Sequence, residues 1–412
     1  MLYRPIADRI AQEILRSHTP GQPLMGVRDL ARKEGISLLT ARNVYLDLQK
    51  RGLITMRQGV GTFVEKKEST GIIDMSGIRP PGELLLWTNS FLTKINDGLA
   101  AYDPPEGYSP LRRQAGIYLE ALGIKGLPLV MAGSQQALFL AGLAVLKPGD
   151  YVAVEDPGYT GALRIFESMG ARIIRTPYPG NSEALQRLKD KRIRLFYTMP
   201  QAHIPTGASM PQETRQELLG LAEEYGFYIL EDDPLSEITT LSPLKSQDIH
   251  DRVIYIKSLS NLLGPGLRIG FTLIPEEIRE KIVRLKEIND LSTSGILQRI
   301  VYNMMRSGEM KRYIARLNKE LQHRQAEACS LLGEGLYLPC IWIKTHAPSR
   351  VHMERLAGLG VRITPGDIYG ARWANHLRIC LMTPSGTDIS RALEIIRKYM
   401  EGSMAPTISG MF

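Results

Sequence analysis

Two hydroxyl donors, Ser258 and Ser260, and one guanidinium, Arg268, stand in the stretch SLSNLLGPGLRIGF, residues 258–271. Hydroxyls beside a guanidinium are suited to hold an anion, phosphate above all. A second set of anion donors lies in AGSQQAL, where Ser134 and Gln135 begin a predicted helix. The free backbone N–H groups and the dipole at such a helix start favour negative charge. Asn261, between the serines and the arginine, has a different character: an amide is neither a nucleophile nor a base. Each stretch is a candidate for an anion site, although a serine at a helix start, seen alone, is more often only a cap.

A second chemistry follows from charge. The chain of 412 residues has a formal net charge of +8, and between Met1 and Lys67 there are 12 Lys/Arg against 6 Asp/Glu. A compact basic segment attracts polyanions, nucleic acid first. Ile6, Ile10 and Ile14 recur at helical spacing, and Gly21 and Pro23 end that helix. Val27, Leu30 and Ala31 make one face of a second helix that stops near Gly35. Ser37 is the predicted N-cap of a third, with Ala41, Val44, Tyr45 and Leu48 inside. Residues 53–56 and 62–64 flank a glycine-rich turn and form a hairpin. This order is that of a winged helix-turn-helix, with the third helix in the major groove and the hairpin against the flanking backbone. Leu38, Leu39, Arg42 and Asn43 lie on the outer face or first turn of that helix. Arg42 and Asn43 can make bidentate contacts to guanine or adenine edges. Arg28, Thr40 and Arg57 are placed for phosphate, with Ser37 beside them, while Gly59 and Gly61 let the wing backbone approach closely. A winged helix used for protein contacts is the alternative.

The elements that must position the anion site lie beyond a short polar connection at 67–74. Residues 151–154, 172–175, 195–197, 228–230 and 253–256 are short, rich in β-branched or aromatic side chains, and separated by helix-length segments. That rhythm predicts a largely parallel sheet flanked by helices, with ligands at the carboxyl ends of the strands. From about Ile282 long amphipathic helices precede a smaller α+β region ending near Met400. Hydrophobic content of 43% and 23% charged residues are those of a soluble globular protein, and no apolar run is long enough to span a membrane. Cys329, Cys340 and Cys380 offer neither metal spacing nor a disulfide framework, so no metal and a cytoplasmic location are expected.

The stretch PLMGVRDLARKEGISLLTARNVYLDLQKRGLITMRQGVGTFV resembles the GntR family of bacterial regulators. Two departures stand out: the family's L-P-S-x-R reads Leu24-Met-Gly-Val-Arg28, and Leu38 replaces the arginine that usually follows the serine. Further on, YDPPEGYSPLR, AGSQQAL, VEDPGY, PQAHIPTG, EDDPLSE, SLSNLLGPGLRIG and NHLRICL together resemble fold-type I aminotransferases, the pyridoxal-phosphate enzymes. The whole chain is similar to the MocR-type regulators, GntR proteins with an aminotransferase-like effector domain. The resemblance implies a winged helix-turn-helix at 1–66, a linker at 67–74 and an aminotransferase-like domain at 75–400. The latter divides into a large, mostly parallel-sheet subdomain at about 100–290 and a small α+β subdomain at about 291–400.

The resemblance also implies site roles. Ser134, Gln135, Ser258, Ser260 and Arg268 match the phosphate end, and Tyr102 matches a tyrosine that reaches it across a dimer interface. Tyr159 matches the aromatic that stacks on the ring, Asp232 the carboxylate that pairs with the pyridine nitrogen, and Arg378 the arginine that grips a ligand carboxylate. Asn261 occupies the place of the lysine that forms the Schiff base, and Lys257 is expected to point elsewhere. The family's D-D-Y reads Asp232-Asp233-Pro234, and the loop before Pro-Thr-Gly207 reads Gln201-Ala-His203-Ile204. The first expectation is therefore a homodimeric regulator of double-stranded DNA operators with no catalytic residue and no internal aldimine. Its pocket is empty or takes a small effector that bears phosphate or resembles an amino acid. The second is a sensor that still binds pyridoxal phosphate or its amino-acid adduct noncovalently. The third, an active aminotransferase, is opposed by Asn261.

Overall fold

The computed structural model describes residues 3–17, 21–50, 53–57, 61–65, 72–82, 84–85, 101–178, 182–333 and 335–403. The chain divides into two compact units, Met1–Ile73 and Asp74–Phe412.

The first unit contains helices α1 (Arg4–Ser17), α2 (Val27–Glu34) and α3 (Leu38–Lys50), with strands β1 (Pro23–Leu24), β2 (Ile54–Arg57) and β3 (Gly61–Val64) in the order β1-β3-β2. Its core joins Ala7, Ala11, Ile14, Leu30, Ala41, Val44, Tyr45, Leu48, Ile54 and Val64. Of the three isoleucines that recur at helical spacing in α1, Ile14 is buried. Ile6 and Ile10 flank the core, and Ala7 and Ala11 sit deeper. Small side chains let α1 lie close against α3, which moves the buried stripe off the isoleucines. Gly35 ends α2 in the left-handed conformation (φ 64°), its N–H bonded to the Ala31 carbonyl. Ser37 Oγ accepts the Thr40 N–H at 3.1 Å and shares a hydrogen bond of 2.8 Å with Thr40 Oγ1, so it closes the first turn of α3. Tyr45 donates to the Met25 carbonyl at 2.7 Å, tying α3 to the segment before α2. β2 and β3 pair from Ile54↔Val64 to Arg57↔Gly61; the tip, including Gly59, lies outside the described residues.

The second unit is built on a seven-stranded sheet. Its strands are β4 (Leu129–Met131), β5 (Tyr151–Asp156), β6 (Arg172–Pro177), β7 (Ile193–Thr198), β8 (Tyr228–Asp233), β9 (Val253–Ser258) and β10 (Gly270–Leu273), in the order β4-β10-β9-β8-β7-β5-β6. The five strands read from the sequence are the parallel ones. β4 and β10 were not legible, and β10 runs antiparallel to both β9 and β4. The reason is length: residues 259–269 are too few for the crossover of a dozen or more residues that a parallel return needs. Alternation along the strands feeds two faces. Val152, Val154, Leu195, Leu230, Ile254 and Ile256 pack with residues of α4 (Ser134–Val145) and α6 (Glu276–Asp290). Ala153, Phe196, Ile229 and Val253 pack with residues of α5 (Gln212–Tyr225).

α6 begins before the expected Ile282, since Pro275 and the acidic pair Glu276 and Glu277 make a favourable helix start. It is followed by α7 (Gly295–Arg306), α8 (Glu309–Leu332) and a small antiparallel sheet, order β11-β13-β12, of β11 (Cys340–Lys344), β12 (Thr364–Pro365) and β13 (His376–Cys380). Buried Arg324 of α8 donates to the Leu381, Met382 and Pro384 carbonyls and so fixes α8 against the segment after β13. No helix among the described residues is long and apolar enough to cross a membrane.

The Ser37 cap carries a prediction. Ser37→Ala removes the acceptor of the Thr40 N–H and lowers the stability of the first unit by about 1 kcal/mol. Hydrogen exchange at the first-turn amides of α3 should accelerate about fivefold, while amides of the seven-stranded sheet keep their rates.

Candidate ligand pocket and nucleic-acid interface

The last residues of β8 are Glu231, Asp232 and Asp233, and strand alternation sends Asp232 and Asp233 to opposite faces. Asp232 is buried, and Tyr197 donates to its Oδ2 at 2.9 Å. Its Oδ1 is also buried and has no hydrogen-bond partner. Burial raises the Asp232 carboxyl to about 7, against the hydrogen bond from Tyr197. Asp233 faces the other way, accepting from Tyr255 Oη at 2.5 Å and from the Leu235 and Ser236 N–H groups. Pro234 and Leu235 thus belong to a turn capped by Asp233, and Leu235 is fully buried.

Lys257 pairs in register with Asp233, which places both side chains on the same face. Its Nζ lies 3.2 Å from Asp233 Oδ1, 2.7 Å from Glu237 Oε2 and 3.1 Å from Ser236 Oγ. Burial opposes the charge on this ammonium, yet Asp233 and Glu237 raise its pKa above the ordinary value. Lys257 is committed to that cluster, away from Asp232. Asn261 is half-buried in the short helix Ser260–Leu263.

The predicted anion donors come together. Arg268 adopts a left-handed backbone (φ 49°), with Nη1 donating to Ser260 Oγ at 3.1 Å and Nη2 to the Ala132 carbonyl at 3.3 Å. Ser258 Oγ accepts the Ser260 N–H at 3.3 Å. Gly133 (φ 82°) precedes α4, and a Cβ there would lie 2.6 Å from Arg268 Nη2, so glycine lets the guanidinium close over the helix start. Gln135 donates to the Tyr159 hydroxyl, which joins this group to the ring-stacking candidate. Burial and the nearby Asp232 raise the Tyr159 phenol. Tyr159, Tyr197 and Tyr369 line one small cavity, and Tyr369 accepts a hydrogen bond from Arg378 Nη1.

Arg378 is thereby linked to the same region, but its donors are partly engaged. Nη2 donates to Thr364 Oγ1 at 2.9 Å and to the Ser76 carbonyl, while Nε is buried without a partner. A carboxylate gripped through Nη2 must displace either Ser76 or Thr364. Tyr102 is 79% exposed, and no hydrogen bond joins it to the other candidates among the described residues.

Several members of the site were not found from sequence. Tyr197 and Tyr369 look like core aromatics until their hydroxyls are traced. Gln136 accepts the Ala132 N–H and donates to Asn289 and Asp290, bracing the start of α4 from behind. His203 is buried against Tyr178, shares a 2.7 Å hydrogen bond with Thr206, and stands 3.3 Å from Glu155 without alignment for a second bond.

In the first unit Leu38, Leu39, Arg42 and Arg28 are exposed and Asn43 is half-buried. The Ser37 and Thr40 hydroxyls bond each other. Gly61 opens β3 with φ 138°. For Arg57 only the backbone is described, in β2.

Comparison with known proteins gives this geometry a lineage. Residues 87–396 match the family model for aminotransferases of class I and II. The chain belongs to the class I and II aminotransferase family. Residues 2–64 match the model for bacterial regulatory proteins of the gntR family. The HTH-type transcriptional regulator YdfD of Bacillus subtilis, itself uncharacterized, is 26% identical over 95% of this chain and 94% of that protein. The 2-aminoadipate transaminase of Thermus thermophilus is 34% identical over 81% of this chain and 91% of the enzyme. Among solved structures, the kynurenine aminotransferase of Pyrococcus horikoshii superposes with a TM-score of 0.73 at 27% identity, covering 82% of this chain and 93% of that one. The structure of LysN, the α-aminoadipate aminotransferase of Thermus thermophilus complexed with N-(5'-phosphopyridoxyl)-L-leucine, gives 0.71 at 26%, covering 81% and 92%.

Class I and II aminotransferases depend on pyridoxal phosphate, and the residues present fit that group at two ends. The cradle of Ser134, Ser260 and Arg268 suits a phosphate. The unpartnered Asp232 Oδ1 is an acceptor waiting for an N–H, as a protonated ring nitrogen supplies. They do not fit a covalent bond to the chain, because Asn261 has no amine and Lys257 faces the Asp233–Glu237 cluster.

Two outcomes follow. Gly133→Ala forces the Arg268 guanidinium off the helix start, and affinity for phosphate or pyridoxal phosphate should fall roughly tenfold by calorimetry with circular dichroism unchanged. The second concerns pH. Asp232 titrates near 7 when folded and at ordinary carboxylate values when unfolded, so the native state holds the extra proton between these values. Stability is greatest at the acid end of that window and falls as pH rises through 7. Glu231, raised by burial to about 8, adds to the same slope. In urea denaturation, Asp232→Asn should remove on the order of 2 kcal/mol of the stability lost between about pH 5 and pH 8.

Proposed function

We propose that this chain is a DNA-binding transcriptional regulator whose aminotransferase-fold unit binds pyridoxal phosphate, or a phosphopyridoxyl amino-acid adduct, without a covalent bond to the protein. The regulator reading is supported by the gntR match at residues 2–64 joined to the aminotransferase match at 87–396. Relatives with the same span, among them YdfD and YcxD of Bacillus subtilis and YjiR of Escherichia coli, carry the name HTH-type transcriptional regulator. The ligand reading rests on one observation: a buried carboxylate oxygen of Asp232 without a partner, in a site where Asn261 replaces the amine.

In this reading Ser134, Ser258, Ser260 and Arg268 hold the phosphate, with Gln135 and Tyr159 beside them. Asp232 Oδ1 accepts the ring N–H, and that ion pair returns Asp232 to its charged state. Arg378 binds a carboxylate once the Ser76 carbonyl or Thr364 Oγ1 gives way. Such a cofactor, when bound, supplies an electron sink. Proton transfer to or from the ligand lacks its usual agent, since neither Asn261 nor the sequestered Lys257 is a free base, which supports sensing over turnover. LysN of Thermus thermophilus, complexed with N-(5'-phosphopyridoxyl)-L-leucine, shows a related fold holding a phosphopyridoxyl group joined to an amino acid, and this supports the adduct form.

The assembly is a cytoplasmic homodimer in which Tyr102 serves the partner's pocket and two winged helices engage paired half-sites. Ligand occupancy changes operator affinity, and operator changes ligand affinity by the same factor.

Titration with pyridoxal phosphate tests the pocket. The wild-type chain should bind it reversibly, losing it on dialysis, and without the yellow band near about 420 nm of cofactor bonded to a lysine. Asn261→Lys should produce that band and resist dialysis. A stable band in the wild-type chain, or no binding by either protein, overturns the ligand reading.

A further inference from the structure

Three leucines stand in solvent on the outward face of α3. Leu38 is 53%, Leu39 70% and Leu46 37% exposed, and exposed Arg42 lies among them. Packing does not require them, because Ala41, Val44, Tyr45 and Leu48 already fill the inner face. The first turn of a recognition helix is the part that reaches base edges. The major groove presents hydrogen-bonding atoms at every base pair and a single apolar group, the thymine C5-methyl. A leucine side chain neither donates nor accepts, so a guanine O6 or cytosine amino group buried against it is left unpaired and penalised. A thymine methyl in the same place gains burial from water.

We infer that Leu38 and Leu39 read thymine methyl groups, so that the operator half-site carries A·T pairs where α3 enters the groove. These pairs flank the guanine or adenine read by Arg42 and Asn43. The inference rests on the DNA-binding reading above and adds the base preference that reading leaves open. The basic character of the segment and the presence of Arg42 on the same face favour DNA as the occupant over a protein surface, which leucines alone would also suit.

The test uses the full-length chain and duplexes selected by it from a random DNA library. In the selected site each thymine is replaced, one at a time, by deoxyuridine, which keeps the pairing edge and removes only the methyl. Affinity should drop about threefold to fivefold at the thymines facing α3. Leu38→Ala and Leu39→Ala should each abolish the deoxyuridine effect at one position, and Leu38→Arg should shift the selected base there from thymine to guanine. Both leucines are exposed, so the alanine variants should keep the wild-type melting profile. If a specific site is selected but no deoxyuridine substitution changes affinity, the methyl reading is overturned while the regulator reading stands. If no sequence is enriched, the regulator reading itself falls. A change in sedimentation of the free alanine variants, with DNA affinity and deoxyuridine sensitivity intact, would assign the leucines to a protein contact and also overturn the inference.

Discussion

A buried carboxylate oxygen with no donor is costly, and the sheet holds one in place at Asp232. The strand fixes the backbone, Tyr197 satisfies one oxygen, and burial raises the pKa to about 7, so that protonated and charged forms are of similar weight at neutral pH. Among the described residues no donor reaches Oδ1. Packing around it is ordered by strand alternation, which fills one face through α4 and α6 and the other through α5. A buried carboxylate lowers this cost by taking up a proton or by meeting an N–H donor. In the proposed reading the donor is a ligand's ring N–H, and the Ser260 and Arg268 donors face the ligand's phosphate.

The same alternation decides the fate of the amine. Had Lys257 fallen one residue earlier or later on β9, its side chain would share a face with Asp232. It instead pairs with Asp233 and finds Glu237 and Ser236 within hydrogen-bond distance. Extracting a buried ammonium from two carboxylates leaves uncompensated charge on both sides, so this lysine cannot be borrowed for chemistry at Asn261. The direction in which Lys257 points is therefore set by the register of the sheet, independently of the residue at 261.

Sequence made the first unit and the parallel strands legible because their signals are local: the inner face of α3, the Ser37 cap and the short β-branched runs each depend on neighbours a few residues away. It missed β4 and β10, whose three or four residues carry little pattern and whose direction follows from the shortness of 259–269. Its isoleucine spacing marked the apolar side of α1 but not the depth of Ala7 and Ala11, which close helix approach favours over the larger Ile6 and Ile10. In the pocket, Ser134, Ser260, Arg268 and Asp232 could be read because their types advertise anion and proton chemistry. Tyr197, Tyr369, Gln136 and Thr364 could not: each looks like an ordinary core or surface residue, and each acts through a side-chain bond to another element. The engagement of Arg378 by Ser76, across 302 residues, has no trace in either local sequence.

That engagement bears on how a sensor of this form would work. In the proposed reading the ligand's carboxylate competes for Arg378 Nη2 with the Ser76 carbonyl and Thr364 Oγ1, so binding through that nitrogen has to break one of these two bonds. A ligand shifts a conformational equilibrium only by its differential affinity for the two states, and here the difference resides in a single guanidinium contact and whatever packing accompanies it. Reversible occupancy suits such a device, because a covalently anchored cofactor would hold the pocket filled regardless of the amino-acid supply. In the proposed reading an asparagine at 261, which has no amine to bond the ligand, lets the pocket empty and refill while Arg378 reports the ligand's carboxylate.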